Sequence, residues 1–319
     1  YRVQVHDKNT ATVMIAPGHH GGIIRQKYWA RGMGCPTVVT CGQEPLLFAA
    51  AHFEVPWGVS EYEYAGGLRR QPVAVTRGVV TDLPIPATAE IALEGEMLPP
   101  EAETRVEGPF GEWAGYYASG LRPMPVFKVK AILHRNNPII QGNPPSRFPS
   151  VYSLGRHIQI GAALWNELDK HIPGVKGVWS IEDAAVRGIV VVSLQQMYAG
   201  HAKQAALLAL GSSANMRLSR YVIIVDEDID PSNTSEVLWA LGTRTDPKYT
   251  TEFIDGCWGG PGNPILPRDK LARGELEYSR AIILACKPYH WIKDFPRSVT
   301  SSPELQQKIK EKWSSLFPK

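Results

Sequence analysis

The sequence has no marked excess of charge and little cysteine. Its 34 lysines and arginines oppose 31 aspartates and glutamates, which leaves a formal net charge of +3 over 319 residues. No lysine- or arginine-rich block occurs, so we expect no nucleic-acid partner. The four cysteines form neither a CxxC pair nor a zinc-binding spacing, which indicates reduced thiols and a cytoplasmic protein. No apolar run reaches the roughly 18 residues that a membrane span needs.

Glycine and proline are abundant instead, with 29 and 26 residues. They divide the first half of the chain into short β-rich segments, a spacing that favours a β-barrel or a sandwich. Within this half the pattern predicts one helix over residues 44–52. Residues 59–68, where aromatic and acidic side chains crowd together, are interpreted as a loop or a single helical turn.

The second half follows a different pattern. Apolar residues at helical spacing predict a connecting helix over residues 154–171. Strand and helix patterns then alternate, at residues 188–194 (strand), 202–210 (helix), 221–225 (strand), 234–241 (helix) and 281–285 (strand). This order is typical of an α/β domain with parallel strands.

Two helix starts are predicted from their capping residues. Ser232 or Thr234 is expected to cap the helix over residues 234–241. Pro303 predicts the first turn of a tail helix that runs to about Leu316. Because its apolar residues share one face, we expect this tail helix to pack on the core or on a partner subunit.

The stretch EGPFGEW at residues 107–113 contains the first candidate pair of catalytic residues. Glu107 and Glu112 flank a rigid Gly-Pro-Phe-Gly turn, which brings two carboxylates to one place. The apolar side chains of Phe110 and Trp113 beside them would favour a protonated carboxyl group by desolvation. The residue types leave two interpretations open, a pair of acid and base carboxylates or a structural turn.

A second candidate is the stretch GHHGG at residues 18–22. Adjacent histidines on a strand point to opposite faces, so His19 and His20 can share one ion only from a glycine-rich loop. Glu61 and Glu63 offer further oxygen ligands. A histidine with a carboxylate and a phosphate suits Mn²⁺ or Mg²⁺ better than zinc. Ordinary hydrogen-bonding histidines remain the alternative.

Other acidic clusters have a plainer interpretation. Strand alternation places Glu90 and Glu94 on the same face of one strand, which we interpret as a solvated face. Asp226, Asp228 and Asp230 follow a buried strand, where acids can cap a helix, solvate a loop or bind a metal. For these three residues the structural interpretation is preferred.

Together these motifs resemble the UbiD family of decarboxylases that depend on prenylated FMN. The matching stretches follow one another in family order along nearly the whole chain. They are YRVQV (1–5), HHGG (19–22), SEYEYAGG (60–67), PATAEIALEG (86–95), EGPFGEWAGY (107–116), YAGHAK (198–203) and TRTDP (243–247). The combination of EGPFGE with AEIALEG is the most specific part of the resemblance.

The resemblance implies an α+β, multidomain fold. A split β-barrel of the flavin-reductase type would bind the flavin over residues 1–153, followed by a connecting helix (154–172), a smaller α/β domain (173–302) and a C-terminal dimerisation helix (303–319). The implied activity is reversible, non-oxidative decarboxylation of an aromatic or α,β-unsaturated carboxylic acid, which releases CO₂ and uses prenylated FMN as the electron sink. A UbiX-type flavin prenyltransferase would supply the cofactor to a homodimer or hexamer.

The resemblance also implies roles for individual residues. Arg2, Glu107 and Glu112 would form the catalytic set, with Glu112 as the proton donor. His20 and Glu61 would bind Mn²⁺, or Mg²⁺, at the flavin phosphate, with K⁺ beside it. His19 and Trp113 would shape the substrate pocket. The residues expected to contact the cofactor are Tyr1, Arg2, His19, His20, Gly21, Glu61 and Lys203.

Some family features have no counterpart in this sequence. The third metal ligand, an asparagine just before the Tyr-Arg pair, and an N-terminal α/β segment are both absent, so we expect a longer polypeptide. One alternative is a non-catalytic UbiD-like subunit of a multi-subunit carboxylase, although retention of Arg2, Glu107 and Glu112 argues against it. Another is an ordinary FMN oxidoreductase on a split barrel, which would not require these three residues.

Overall fold

A computed structural model describes residues 2–15, 19–52, 55, 58–140, 142, 144–148, 150–185, 187–215 and 219–316, with the backbone alone for 151–154. Tyr1, which the resemblance places at the cofactor, lies outside the described residues. The first half contains β1 (Arg2–Asp7), β2 (Thr10–Met14), α1 (His20–Trp29), β3 (Cys35–Cys41), α2 (Pro45–Ala50), α3 (Glu61–Arg69), β4 (Val75–Arg77), β5 (Pro84–Pro86), β6 (Ile91–Met97), β7 (Thr104–Glu107) and β8 (Arg122–His134).

The second half alternates helices and strands as predicted. It contains α4 (Val151–Leu168), β9 (Val175–Ser180), β10 (Ile189–Leu194), α5 (His201–Gly211), β11 (Tyr221–Asp226), α6 (Thr234–Arg244), α7 (Pro247–Thr250), β12 (Thr251–Cys257), α8 (Arg268–Ala272), β13 (Tyr278–Ala285) and α9 (Pro303–Lys312). The chain is therefore a mixed α+β protein in which each half has a larger sheet of its own.

The long strand β8 organises the first sheet. Its residues 122–125 pair with β7, residues 126–128 pair with β2, and residues from 127 to 134 pair with β6. The order β1-β2-β8-β6-β3 ends in two separate edges, so the described strands do not close into a barrel. Phe127 and Met97 fill the core beneath this sheet. Because β2 and β7 both pair with β8, the start of β1 and the end of β7 meet at one end of the sheet.

Two helices occupy segments for which the sequence pattern gave no helix. The interpretation of residues 59–68 as a loop or a single turn is wrong, since α3 spans Glu61–Arg69. Ser60 accepts a hydrogen bond from the backbone N–H of Tyr62, and the carboxylate of Glu63 accepts one from the backbone of Ser60. This capping box satisfies the free N–H groups of the first turn. The helix α1 likewise begins at His20, so the two histidines lie neither on a strand nor wholly in a glycine-rich loop.

Glu94 lies in the interior, and the prediction of a solvated face is wrong for it. Its side chain is fully buried and accepts hydrogen bonds from the backbone N–H groups of Val79, Val80 and Thr81, and from the Thr81 hydroxyl. Burial by itself raises the pKa of this carboxyl group, but the hydrogen bonds outweigh it and lower the pKa below its usual value. Glu94 is therefore ionised, and its carboxylate holds the turn between β4 and β5 in place.

We predict that Glu94→Gln lowers the free energy of unfolding by about 2 kcal/mol at pH 7, because an amide cannot accept from all these donors. A group whose pKa is lowered by folding stabilises above its unfolded value of 4.5 and loses that effect as pH falls. The gap between wild type and variant in urea unfolding should therefore shrink below pH 4.5. Glu96→Gln, on the same strand but ion-paired with Lys130 at the surface, is the control. An equal loss in both variants would contradict the role of Glu94.

The second sheet confirms the predicted parallel pairing. β10, β11 and β13 run parallel, and β9 and β12 flank them as antiparallel edges. The helix α4 packs Leu164 and Leu168 into the core of this sheet, and Arg156 on the same helix donates to the backbone carbonyl of His52 in the first half. The N-cap of α6 is Asn233, whose side chain accepts from two backbone N–H groups, and not the predicted Ser232 or Thr234.

Acids at the end of β11 form ion pairs, of which the Arg244–Asp226 pair is buried. Arg244 donates to both Asp226 and Asp228, and Lys287 donates to Asp228. Burial raises the pKa of Asp228, but the hydrogen bonds from Arg244 and Lys287 outweigh it and bring the pKa to about 2. These contacts support the structural interpretation of these acids.

The tail helix is exposed along its whole length. α9 ends at Lys312 and a single 3₁₀ turn covers Ser314–Leu316, so the α-helix is shorter than predicted. Leu305, Ile309 and Trp313 are exposed, which contradicts packing on the core and leaves a partner subunit as a prediction. Among the helices that the structure describes, none is both long enough and apolar enough to cross a membrane.

Candidate active site

The first candidate site lies where β1 begins and β7 ends. Arg2 is at the start of β1, opposite Met14 of β2, and Glu107 is the last residue of β7, opposite Arg122 of β8. After Glu107 the chain turns sharply at Gly108, whose φ of +98° suits glycine, and a cis peptide bond joins it to Pro109. The turn carries the following loop, which contains Glu112, back over Arg2.

Arg2 connects the two predicted carboxylates. Its Nε atom donates to Oε1 of Glu107 at 3.2 Å, and its Nη1 atom donates to Oε1 of Glu112 at 3.0 Å. The guanidinium carbon lies 4.3 Å from the centre of the Phe110 ring. Glu107 is buried, whereas the Glu112 side chain keeps 15% of its surface exposed. The structure therefore brings together Arg2, Glu107 and Glu112, the three residues to which the family resemblance assigns a catalytic role.

Arg2, Glu107 and Glu112 each have one side-chain polar atom without a hydrogen-bond partner in the described part of the chain. Nη2 of Arg2 and Oε2 of Glu112 form no hydrogen bond with any residue described by the structure. Oε2 of Glu107 is buried and has no hydrogen-bond partner among the same residues. A buried polar atom without a partner is costly in a folded protein. These three atoms are therefore available to a ligand with its own charge or hydrogen-bonding groups.

Two further residues support the group and were missed by the sequence reasoning. The Ser119 hydroxyl donates to Oε1 of Glu112 at 2.5 Å. Oε1 of Gln4 accepts from the backbone N–H of Gly108 at 2.9 Å. Strand alternation could have indicated Gln4, because it shares a face of β1 with Arg2. No sequence signal marks Ser119, which lies in an irregular loop.

We predict that Arg2→Lys lowers the free energy of unfolding by about 2 kcal/mol, because an ammonium group cannot span two separate carboxylates as the guanidinium does. Urea unfolding measures the change. Arg105→Lys is the matched control, since Arg105 pairs with Glu103 at the surface, and it should change stability by under about 0.5 kcal/mol. Equal changes in both variants would show that Arg2 has no special structural role.

The second candidate site lies between the N-termini of α1 and α3. His20 and Glu61 are the first residues of these helices, and Nδ1 of His20 lies 4.0 Å from Oε1 of Glu61. An imidazole nitrogen and a carboxylate oxygen at this separation fit a shared divalent cation. His19 is the N-cap residue of α1, and its side chain does not cap the helix. No group of three or more metal-ligating residues occurs in the described part of the chain, so these two donors need other ligands.

The remaining predicted residues are more dispersed. Gly21 follows His20 in the first turn of α1, so its backbone lies at the same helix end. Lys203 lies on α5 in the second half, and its Nζ atom pairs with Glu252 at 2.5 Å. Its role as a cofactor ligand, and the role of His19 and Trp113 as pocket walls, remain predictions.

Comparison with known proteins identifies the family. A family model described as the 3-octaprenyl-4-hydroxybenzoate carboxy-lyase Rift-related domain matches residues 1–148, and the model of its C-terminal domain matches residues 157–285. The chain belongs to the UbiD family. Both halves of this UbiD-family chain are thus accounted for, and the motif stretches lie within or between the two matched regions.

Several relatives of this UbiD-family chain are named decarboxylases. It is 34% identical over 274 residues to a phenolic acid decarboxylase of Bacillus subtilis (strain 168), and 32% identical over 273 residues to one of Sedimentibacter hydroxybenzoicus. These alignments cover 84% of this chain in both cases, but 55% and 54% of the two relatives. The chain therefore spans about half the length of the curated relatives that it matches.

Solved structures also match this chain, among them UbiD-class enzymes and related decarboxylases. The UbiD-class enzyme HmfF from Pelotomaculum thermopropionicum, in complex with FMN, superposes with a TM-score of 0.84 at 27% identity, over 96% of this chain and 65% of HmfF. The 3,4-dihydroxybenzoic acid decarboxylase AroY of Klebsiella pneumoniae, in its apo form, gives 0.82 at 27% identity, over 98% and 66%. The described fold is therefore that of UbiD-class enzymes.

Proposed function

We propose that this chain carries the acid–base site and the cofactor site of a UbiD-type decarboxylase. The substrate would be an aromatic or α,β-unsaturated carboxylic acid, and the reaction would be reversible and non-oxidative. The single observation that carries the proposal is the bridge from Arg2 to Glu107 and Glu112. An ordinary FMN oxidoreductase would have no need of an arginine that orients two carboxylates.

Arg2 would receive the carboxylate of the substrate. Its Nε and Nη1 atoms donate to Glu107 and Glu112, which leaves Nη2 without a hydrogen-bond partner among the described residues. A guanidinium group is always charged and pairs well with carboxylates. The same contacts keep Glu107 and Glu112 next to the bound acid.

Glu112 would supply the proton. Arg2 and Ser119 both donate to its Oε1 atom, so Oε2 remains for the substrate. The bond to the departing CO₂ breaks with its electron pair left on the substrate carbon. When bound, prenylated FMN supplies the electron sink for that pair. A proton from Oε2 then forms the new C–H bond, and Glu112 takes another proton from solvent.

The helix ends at His20 and Glu61 would hold the cofactor phosphate with Mn²⁺, or Mg²⁺, and K⁺ beside it. Free N–H groups at a helix N-terminus favour a phosphate, and α1 has no side-chain cap from His19. Tyr1, Gly21 and Lys203 are proposed as further contacts. We assign the first sheet to a split β-barrel of the flavin-reductase type, with a UbiX-type prenyltransferase as the source of the flavin.

The exposed tail helix is proposed as the contact of a cytoplasmic homodimer or hexamer. Leu305, Ile309 and Trp313 expose apolar surface on α9. The proposed domains span residues 1–153 and 173–302, with a connecting helix over 154–172 and the tail over 303–319.

The proposed function is tested with the protein expressed from its complete gene together with a UbiX-type prenyltransferase. The flavin spectrum is recorded, and CO₂ release is measured from 3,4-dihydroxybenzoate, vanillate, other phenolic acids and cinnamate. Release from one of these acids that requires prenylated FMN is the expected result. Bound prenylated FMN without turnover of any acid would favour the non-catalytic subunit. Unmodified FMN with hydride-transfer activity would favour the oxidoreductase.

Glu112→Gln should reduce CO₂ release by at least about a hundredfold, because the amide has no acidic proton to deliver. The variant should keep its bound flavin, measured by its absorbance per polypeptide. Glu96→Gln serves as the control and should keep wild-type turnover. Loss of flavin from Glu112→Gln would mean that Glu112 binds the cofactor.

His20→Ala and Glu61→Ala should each lose metal and flavin together, because both side chains face the same helix ends. Metal is measured by mass spectrometry of the purified protein and flavin by absorbance. His134→Ala and Glu96→Ala are the controls, since these residues lie on β8 and β6 and not on α1 or α3. Retention of full metal content in His20→Ala and Glu61→Ala would refute this site.

A further inference from the structure

A loop from the second half of the chain contacts Glu112, which belongs to the first half. Gly262 lies in the loop between β12 and α8 and is buried. A Cβ atom placed on Gly262 would lie 3.4 Å from Oε2 of Glu112 and 3.4 Å from Nε1 of Trp113. Oε2 is the one carboxylate oxygen of Glu112 that makes no hydrogen bond with the described residues. The backbone of Gly262 therefore packs beside the atom from which the proton would leave.

The backbone conformation does not explain why a glycine occupies this position. The φ angle of Gly262 is outside the left-handed region, in contrast to Gly256 near the end of β12 with a φ of +68°. An alanine could adopt the backbone of Gly262 without strain. What the glycine provides is space, because a Cβ atom alone would already touch both the carboxylate of Glu112 and the indole of Trp113, and a larger side chain has less room still.

The loop is held firmly on the second sheet. Arg220 donates to Oδ1 of Asn263 at 2.5 Å, and the buried Arg280 donates to the backbone carbonyl of Trp258 at 2.7 Å. Asn263 is itself buried, and its backbone N–H donates to the carbonyl of Gly260. Two arginines thus fix the loop on both sides of Gly262. Both of these contacts come from the second half of the chain.

A second contact supports the same docking. A Cβ atom on Gly120 would lie 3.0 Å from Nη1 of Arg268, which begins α8 directly after this loop. Gly120 follows Ser119, the donor to Glu112. The segment that contains Gly262 and Arg268 therefore contacts the Glu112 loop at both of its ends.

We propose that Gly262 is a positioning residue for Glu112, and that the Arg220–Asn263 contact holds it there. The proposal rests on the proposed function for its kinetic consequence only. The loop keeps Glu112 in the orientation set by Arg2 and leaves Oε2 open to a substrate. The second half of the chain thereby controls an acid that belongs to the first half.

The test uses flavin-loaded protein from the complete gene, labelled with 5-fluorotryptophan. The Trp113 signal is assigned by its loss in Trp113→Phe. Gly262→Ala should shift the ¹⁹F resonance of Trp113 and leave the other tryptophan resonances in place. Asn263→Ala should shift it too, and Asn263→Asp should restore it because Oδ1 can still accept from Arg220. Gly242→Ala, on the exposed side of α6 with open space around it, is the control.

In CO₂ release, kcat should fall by less than about threefold in Gly262→Ala, whose methyl group only touches Glu112, and by at least about a hundredfold in Gly262→Val. KM should stay within about twofold in both variants, because a misplaced acid slows proton delivery more than binding. A Trp113 resonance that stays unchanged in Gly262→Ala and Gly262→Val would overturn the proposal. So would equal kcat in Gly262→Val and wild type. If no variant and no wild-type protein turns over any acid, the proposed function fails, and the Trp113 resonance alone decides the positioning role.

Discussion

The arrangement depends on one arginine that holds two carboxylates. Arg2 contacts Glu107 and Glu112, which lie 105 and 110 residues away along the chain. A buried carboxylate without a partner would be strongly unfavourable, so the permanent charge of Arg2 is what permits Glu107 to lie inside. The same bridge orients Glu112 and leaves one oxygen of it uncommitted. The two contacts of Arg2 therefore stabilise the buried Glu107 and also orient Glu112 for proton transfer.

The two sheets contribute differently to this site. In the first, β8 pairs with both β2 and β7 and so brings Arg2 to Glu107. The second contributes no charged group to the bridge, but its loop places Gly262 beside Glu112. The position of Glu112 therefore depends on how the two halves pack together, because Arg2 of the first half binds it and Gly262 of the second half contacts it.

The sequence was sufficient for features with a local or periodic signal. The parallel strands of the second half, the carboxylate pair at the Gly-Pro-Phe-Gly turn and the family motifs all follow from short stretches of residues. Glu94 was misjudged because alternation along a strand does not say which residues a distant turn will cover. Gly262 was missed because its neighbours Glu112 and Trp113 come from the other half of the chain, and Ser119 was missed because it lies in an irregular loop without a periodic pattern. The capping box at Ser60 was a local signal that aromatic crowding obscured.

The most direct test of the central claim is the origin of the hydrogen that replaces CO₂. Protein from the complete gene, loaded with prenylated FMN, is given a phenolic acid in D₂O, and the product is analysed by NMR. If Oε2 of Glu112 delivers a proton that exchanges with solvent, the product should carry one deuterium on the carbon that lost CO₂. Product that carries hydrogen at that carbon in D₂O would contradict proton delivery by an exchangeable carboxyl group.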